Sequence, residues 1–482
     1  MQHSRGVPAS QSRTRTAARV SRAGTLNQFT EAMRLGYDRG HICWPGWGNL
    51  RSERRGENHR FPFARDFANL SRVERSRRYE NTLVLILFFT WGTVFLDRMS
   101  QLYLAPFFAP EFDLSNQQIG LLAAVVAITW ALSGYFFGAL SDQFGRRRVL
   151  IPAVFAFSTL SWISGLAHSF HQLLAIRALM GAAEGPCWSV ITALMEESSP
   201  ASRRGRNVGL VVSAAALVGL AVAPVLTTQV ASRFDWRWAF FVAGLPGMVM
   251  GLLLWKFVKE PDKTPSAMHS QHHDSATVMD YLSILRYRNM WLCSLGAAGF
   301  MCWLFLLNVF APLYITQVAH QAATTAGFLL GATGLGSFFL GFLFPSFSDR
   351  VGRKPVLMTL AVLSAIVPLS LQIPSLYSHL WLLATILFLC NGGQAIASLI
   401  IVLVPAESVP PQFVATAIGL ATLTGEIIGA TIAPVVGGAM AEKFGLHMPL
   451  VMSAGGMAVL LLVTVGLAEG ERIRVAQPVG AE

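Results

Sequence analysis

Charge is what this sequence has least of. Only 13% of its 482 residues are Asp, Glu, Lys or Arg, whereas 53% are hydrophobic. Soluble globular domains carry about 25% charged residues, so the composition excludes an ordinary soluble domain and is typical of a membrane protein.

Motifs for metals, disulfides and nucleotides are also missing. The five cysteines show no CxxC spacing, which indicates neither a disulfide framework nor a zinc site. His269, His272 and His273 have no acid or cysteine at helical spacing, so a solvated loop is favoured over a metal site. The phosphate-binding patterns GxxxxGKS and GxxxxGKT are absent from the sequence. We therefore expect no cofactor, no metal ion and no enzymatic activity.

The net positive charge comes mostly from the first 80 residues, which contain sixteen Arg, no Lys and seven acidic residues and so supply +9 of the formal net charge of +11. They lack the apolar core and small-residue cleavage site of a signal peptide. Such a tail before a hydrophobic segment indicates positive-inside anchoring, and we expect a disordered leader that binds no nucleic acid.

Long apolar runs dominate the rest of the chain. Each is near the roughly 20 residues that a helix needs to cross a hydrocarbon core, and none shows the alternation of a strand. The fold class is therefore predicted to be an all-α membrane protein with twelve transmembrane helices in two six-helix repeats. The segments centre on residues 83–107, 118–140, 149–168, 172–195, 207–229, 237–258, 289–315, 324–346, 355–374, 380–404, 412–438 and 447–468.

Three sequence patterns recur at nearly one offset. SDQFGRRR returns as SDRVGRK after 207 residues, LLAIRALMGAAEG as LLATILFLCNGGQ after 209, and GLAVAP as GATIAP after 210. This repetition predicts two duplicated units with a site at their interface. The predicted regions are a tail at 1–80, a six-helix bundle at 81–259, a linker at 260–288, a second six-helix bundle at 289–468 and a tail at 469–482.

Lys and Arg are unevenly distributed over the connections between the segments. One side carries fourteen of them and the other side three. By the positive-inside rule both termini face the cytoplasm, and we expect a multi-pass monomer in the inner membrane.

The repeated loop carries a specific motif, a Gly, three residues, an Asp and then Gly-Arg-Arg. It resembles the cytoplasmic loop of the major facilitator superfamily, and the resemblance extends over residues 80–470. Family members usually have Arg directly after the Asp, where this chain has Gln143. The resemblance implies a gating latch in which the carboxylate pairs with Arg and Gly permits a tight turn, although these Arg could also serve only as topology signals. The latch residues would be Gly138, Asp142, Gly145, Arg146 and Arg147 in the first copy, and Asp349, Arg350, Gly352 and Arg353 in the second.

Four charges stand inside the first and fourth predicted membrane segments. FLDRMSQLYLAP places Asp97 beside Arg98 in the first segment, and RALMGAAEG places Arg177 seven residues before Glu184 in the fourth. Seven residues advance a helix by about 700°, so Arg177 and Glu184 share one face about 10.5 Å apart. All four match the pattern of the anion:cation symporters, which the chain also resembles in DWRWAFFVAGLPG.

A charge at the centre of a membrane helix costs roughly 2.5–3.5 kcal/mol, so these four residues must face a cavity or pair with one another. In the first case Arg98 and Arg177 would hold a substrate carboxylate. Asp97 and Glu184 would then exchange protons, because burial favours the neutral form of a carboxyl group. In the second case two ion pairs would join helices 1 and 4.

Five more polar residues stand in the second repeat. Glu426 is the lone acid of segment 11, with either a gating or proton role or a place as a polar residue facing the cavity. The other four either line the C-terminal wall of a substrate cavity or form interhelical hydrogen bonds. They are Asn308, Tyr314, Asn391 and Gln394.

Together these patterns predict a secondary transporter that imports a small organic anion with protons by alternating access. Its partners would be the anion, protons and the lipid bilayer. A drug:proton antiporter of the same superfamily is an alternative, although the Gly-Pro and Gly-Gly pattern usual in its fifth helix is replaced here by APVLTT. A non-transporting membrane sensor is a further alternative, but it would not need two titratable acids.

Overall fold

The computed structural model describes residues 62–200, 202–260, 284, 286–410 and 413–467, with side chains described from Arg77 onward except at positions 139 and 142. Leu70–Glu482 forms a compact unit. Most of the predicted N-terminal tail, linker and C-terminal tail lies outside the described residues.

Twelve long helices and no strand occupy the described residues, which confirms the predicted all-α fold class. They are α1 Pro62–Glu111, α2 Asn116–Phe144, α3 Arg146–Ser164, α4 Phe170–Ser198, α5 Arg204–Arg233, α6 Trp236–Phe257, α7 Arg288–Val318, α8 Ala323–Val351, α9 Arg353–Ser370, α10 Leu380–Ser408, α11 Val414–Phe444 and α12 His447–Gly466. Among these helices ten are long and apolar enough to cross a membrane. The other two are α3, which begins with three Arg, and α4, which contains Arg177 and Glu184.

Helix α1 begins about 20 residues before the segment predicted at 83–107, because the polar stretch ahead of it is also helical. Its first residue, Pro62, is well suited to a helix start, where no backbone N–H partner is needed. Hydrophobicity alone marks the part of a helix that suits lipid, so a polar extension gives no signal of that kind.

Two helices contain wide π-helical turns at matching positions. In α5 the turn covers Ala215–Val222, and in α11 it covers Gly425–Ile432, so that the two start 210 positions apart. This is the offset of the GLAVAP and GATIAP repeat. The duplication seen in the sequence therefore extends to an irregular feature of the backbone.

Helices α1–α6 (the first half) and α7–α12 (the second half) meet through two helix pairs. Helix α2 packs against α11, and α8 packs against α5. A Cβ atom on Gly120 of α2 would lie 2.1 Å from the carbonyl oxygen of Pro434, and one on Gly327 of α8 would lie 2.6 Å from that of Pro224. Only glycine allows backbones to approach this closely, so both pairs depend on it.

The two ends of the bundle differ in charge. The basic end carries the connections with Arg146–Arg148, Arg203–Arg206 and Arg350–Lys354, and the other end is called here the opposite end. Contacts between the halves lie toward the opposite end, where the backbone N–H of Gln117 donates to Oε1 of Glu442 at 2.9 Å. The halves are therefore closed together on the side away from the basic loops.

Candidate functional site

A cavity of about 160 Å³ lies between the two halves. Its walls are mostly apolar and aromatic, and come from α1, α2, α4 and α5 of the first half and α7, α8, α10 and α11 of the second. Among its described lining residues, Arg98 and Glu426 are the two that carry charge. The main apolar side chains of the wall are Trp91, Phe95, Trp130, Trp188, Phe300 and Leu304.

Arg98 and Glu426 form an ion pair across this cavity. Nη2 of Arg98 on α1 donates to Oε2 of Glu426 on α11 at 3.0 Å, and the two side chains are 3% and 5% exposed. The Arg98 guanidinium also lies 4.9 Å from the ring centre of Trp130 and 5.2 Å from that of Phe305. The lone acid of segment 11 thus faces the cavity and ties the second half to the first.

Asp97 points away from the cavity into the first half. It is fully buried, and its Oδ1 accepts a hydrogen bond from the Ser161 hydroxyl of α3. Its Oδ2 has no hydrogen-bond partner among the described residues. The Ser161 hydroxyl also lies 3.0 Å from the carbonyl oxygen of Phe240 on α6, and with one hydrogen it can donate to only one of the two acceptors.

Arg177 and Glu184 lie behind the cavity wall on α4, and neither is among its lining residues. Both are fully buried. Arg177 donates to the sulfur of Met180 at 3.0 Å and lies over the Phe240 ring at 4.6 Å, while its Nε and Nη2 have no partner among the described residues. Both oxygens of Glu184 are likewise without a partner in that part of the chain.

The four charges therefore form one buried cluster. Among the described residues they do not form the two ion pairs that would only join helices α1 and α4. Arg177 interacts electrostatically with both Asp97 and Glu184, yet within the described residues no ion pair within 4.0 Å joins it to either acid. Buried polar atoms are nearly always hydrogen-bonded, so several orphaned atoms in one cluster call for a specific explanation. A site that exchanges protons or binds water between its acids is such an explanation.

Of the four neutral residues singled out in the second repeat, Gln394 lines the cavity and the other three do not. Oδ1 of Asn308 accepts a hydrogen bond from the Tyr103 hydroxyl of α1 at 2.7 Å, a contact between the halves. Oδ1 of Asn391 accepts from the backbone of Gly393 at 3.1 Å, where α10 is interrupted. Tyr314 is buried at the start of the π-helical end of α7. The bond of Asn308 joins two helices, which is the second of the two predicted possibilities, whereas the bond of Asn391 stays within α10 and matches neither.

The first copy of the predicted latch holds together helices of the first half. Arg146 pairs with Glu197 of α4 at 3.2 Å and donates to the Ser141 hydroxyl at 2.8 Å. The backbone N–H groups of Arg146 and Arg147 donate to the Glu260 carboxylate at 2.6 and 3.1 Å. The side chain of Asp142 lies outside the described residues.

The second copy repeats this arrangement in the second half. Arg353 pairs with Asp349 at 2.7 Å and with Glu407 of α10 at 2.8 Å, and it donates to the Ser348 hydroxyl at 2.5 Å. Arg350 is exposed. Each helix before the latch ends at a glycine with positive φ, Gly145 at 106° and Gly352 at 104°.

Several partners were not found from the sequence. Glu197 and Glu407 stand in the related stretches EESSP and PAESVP, 210 positions apart, so extending the repeat comparison would have found them. Ser161 and Tyr103 carry no such signal, because one serine or tyrosine in an apolar segment is unremarkable until the fold brings it to a partner.

Comparison with known proteins agrees with this architecture. The family model described as Major Facilitator Superfamily matches residues 87–431 and 322–479. A probable 4-methylmuconolactone transporter of Cupriavidus pinatubonensis is 29% identical over 365 residues, covering 74% of this chain and 82% of its own. A cis,cis-muconate transport protein of Acinetobacter baylyi is 28% identical over 396 residues, covering 79% and 93%.

Solved structures share the fold. A bacterial homolog of the human lysosomal transporter Spinster, described as inward-facing and occupied, aligns with a TM-score of 0.63 at 19% identity over 80% of this chain and 96% of that one. The nucleoside transporter NupG aligns with a TM-score of 0.64 at 12% identity, covering 80% and 98%. With twelve helices in two repeats, a cavity between the halves and a family model that spans most of the sequence, the chain belongs to the Major Facilitator Superfamily.

Proposed function

We propose that this transporter imports a small organic anion with protons, by alternating access of the cavity between its two halves. One observation carries the proposal. Arg98 is the single cation among the described residues that line an otherwise largely apolar cavity, and a guanidinium there attracts a carboxylate strongly. Relatives named as transporters of muconate, hexuronate and L-galactonate support an organic acid as the substrate class.

Within this proposal the buried charges have separate tasks. Arg98 contacts the substrate, whereas Arg177 lies over the Phe240 ring outside the cavity lining and holds Asp97 and Glu184 by electrostatic attraction. The two acids are the proton sites, because their carboxyl groups are buried and incompletely hydrogen-bonded. The sequence also suggested Arg177 as a ligand of the substrate carboxylate, but this side chain does not line the cavity.

The basic end faces the cytoplasm in this proposal, which places the protein in the inner membrane with both termini inside. The halves are in contact at the opposite end, and the cavity then has access from the cytoplasm. The two Arg latches control the cytoplasmic ends of the helices during rocking of the first half, residues 81–259, against the second, residues 289–468. The protein works as a monomer.

Transport in proteoliposomes tests the proposal. Purified protein is reconstituted, and uptake of a panel of labelled organic acids is measured with and without an inward proton gradient. We expect at least one acid to accumulate with the gradient and to exchange by counterflow without it. Uptake of none of the acids by folded protein, or accumulation only when protons move the opposite way, would contradict import with protons.

Two substitutions separate the assigned tasks. Arg98→Ala should abolish counterflow, since removing one partner of a buried charge pair typically costs roughly 2–5 kcal/mol of binding. Glu184→Gln should retain counterflow and lose accumulation, because exchange of the loaded carrier requires no net proton movement. A folded Glu184→Gln protein that still concentrates the acid with wild-type pH dependence would remove Glu184 from the proton pathway.

A further inference from the structure

The ion pair between Arg98 and Glu426 occupies the place where a substrate anion would be held. Nη2 of Arg98 is already 3.0 Å from a carboxylate oxygen, and that carboxylate belongs to the protein. Both side chains line the cavity, so an entering anion meets this pair directly. The N–H group of Arg98 that bonds to Glu426 cannot bond to a substrate carboxylate at the same time, so a substrate competes with Glu426 for this donor.

The charge of the cavity adds a second constraint. Arg98 and Glu426 balance each other, so a monoanion that entered beside both would leave one uncompensated negative charge in a buried space. Such a charge is strongly disfavoured in a low-dielectric site unless a group nearby becomes neutral. Protonation of Glu426 removes the excess charge and releases Arg98 in one step.

The surroundings of Glu426 leave it as the group in the cavity wall that would take up a proton when an anion enters. Arg98 of α1 is the charged contact of Glu426. The neighbouring helices contribute uncharged residues to the cavity wall, among them Trp130 of α2, Met301 of α7 and Gln394 of α10. Beyond the pair, Glu184 of α4 lies within electrostatic range of Arg98 but behind the wall. No second cation lines the cavity among the described residues.

The walls limit the rest of the ligand. Aromatic and aliphatic side chains form most of the surface, and the uncharged polar groups are few. A ring or conjugated chain fits such a surface, whereas a molecule with many hydroxyl groups would leave them without hydrogen-bond partners. One available cation in a cavity of about 160 Å³ matches one carboxylate on a small body.

We infer that the Glu426 carboxylate occupies, on Arg98, the position that the substrate carboxylate takes when it binds. The substrate is a small, flat, largely apolar monocarboxylate that replaces Glu426 as the partner of Arg98. The exchange is balanced: one proton binds Glu426, the bond from Arg98 to Glu426 breaks, and a bond from Arg98 to the substrate carboxylate forms. This inference rests on the proposed function and adds one proton site to Asp97 and Glu184.

Binding of benzoate to the purified full-length protein tests the exchange. Quenching of tryptophan fluorescence reports binding, because three tryptophans form the cavity wall. Benzoate stays ionised between about pH 6 and pH 8, so its own charge does not change in this range. If the protein must take up one proton when benzoate binds, the Kd rises about tenfold for each unit of increase in pH. We expect Glu426→Gln to lower this slope by one proton and to bind benzoate more tightly than wild type near pH 8.

Two variants serve as controls. Glu442→Gln removes the other described carboxylate of α11, which bonds to the backbone of Gln117 outside the cavity, and should leave the slope unchanged. Glu426→Asp keeps a carboxylate and should keep the linked proton. Thermal unfolding midpoints confirm that each variant is folded. A folded Glu426→Gln protein with the wild-type slope and affinity would show that Glu426 only braces the two halves.

Competing acids test the substrate class. Terephthalate adds a second carboxylate to the same ring, and gluconate replaces the ring with a hydroxylated chain. We expect both to bind at least tenfold more weakly than benzoate at every pH, a difference of about 1.4 kcal/mol. Tighter binding of either acid would overturn the inferred class. If proteoliposomes accumulate organic acids while these binding results fail, the inference is wrong and the proposed function stands; if no acid is transported, the proposed function fails.

Discussion

Close packing of α5 against α8 depends on Gly334 of α8, and replacing it with alanine should disfavour the arrangement in which the halves are closed at the opposite end. A Cβ atom there would lie 2.1 Å from the carbonyl carbon of Leu220 and 2.2 Å from the backbone nitrogen of Ala221. Backbone atoms cannot turn aside as a side chain can, so α5 and α8 must separate. Overpacking of this kind costs typically about 1–3 kcal/mol, which corresponds to roughly a 5- to 150-fold shift away from the closed arrangement.

Labelling of a cysteine in the cavity measures this shift. In a cysteine-free background, Ser398→Cys places one thiol in the lining, and a membrane-impermeant maleimide is applied to intact cells and to inverted vesicles. We expect Gly334→Ala to speed labelling from the side of the opposite end and to slow it from the basic end. Gly209→Ala is the matched control, because a Cβ atom at that glycine of α5 meets nothing within 4 Å. Equal labelling of folded Gly334→Ala and Gly209→Ala proteins from both sides would refute the argument.

Three further substitutions test other contacts. Ser161→Ala removes the hydrogen-bond donor to Asp97 and should impair proton-driven accumulation more than counterflow. Ser161→Thr keeps the hydroxyl and should preserve both activities. Equal loss of both activities in Ser161→Ala would count against a role of Ser161 in coupling. Tyr103→Phe removes the hydrogen bond to Asn308 of α7 and should destabilise the protein by about 1 kcal/mol, measured as a lower unfolding midpoint. An unchanged midpoint would show that this bond is dispensable. Gly352→Ala forces a side chain into a positive-φ position and should lower the unfolding midpoint. Gly455→Ala on α12, where a Cβ atom meets nothing within 4 Å, should leave the midpoint unchanged. Similar midpoints for the two variants would show that the turn at Gly352 accommodates a side chain.

Segment positions were predictable because each membrane helix must satisfy its backbone internally and present apolar side chains to lipid. The buried charges were equally visible, since Asp97, Arg98, Arg177 and Glu184 stand out against apolar neighbours. Which way each side chain points was not predictable. Adjacent residues on a helix differ by about 100° in direction, so Asp97 faces the interior of the first half while Arg98 faces the cavity.

The partner of Glu426 was hidden for a related reason. Arg98 and Glu426 are 328 residues apart, and no local pattern reports a contact between two helices from different halves. The assignment of both Arg98 and Arg177 to one carboxylate came from their positions inside membrane segments, which do not specify the direction of each side chain. Geometry separates the two arginines, because Arg98 lines the cavity and Arg177, which lies over the Phe240 ring, does not.

The close contacts between the halves have a consequence for the origin of the molecule. Gly120 lies on the carbonyl of Pro434, and Gly327 lies on the carbonyl of Pro224. The two glycines are 207 positions apart and the two prolines 210, the offsets of the sequence repeats, so the same contact is made twice with the roles of the halves exchanged. This reciprocity defines an isologous interface, the form adopted by two-fold symmetric dimers. A single ancestral six-helix unit could therefore have formed a dimer with a second copy of itself through this glycine and proline, with a two-fold axis between the copies. Fusion of two copies of its gene would then have preserved this interface.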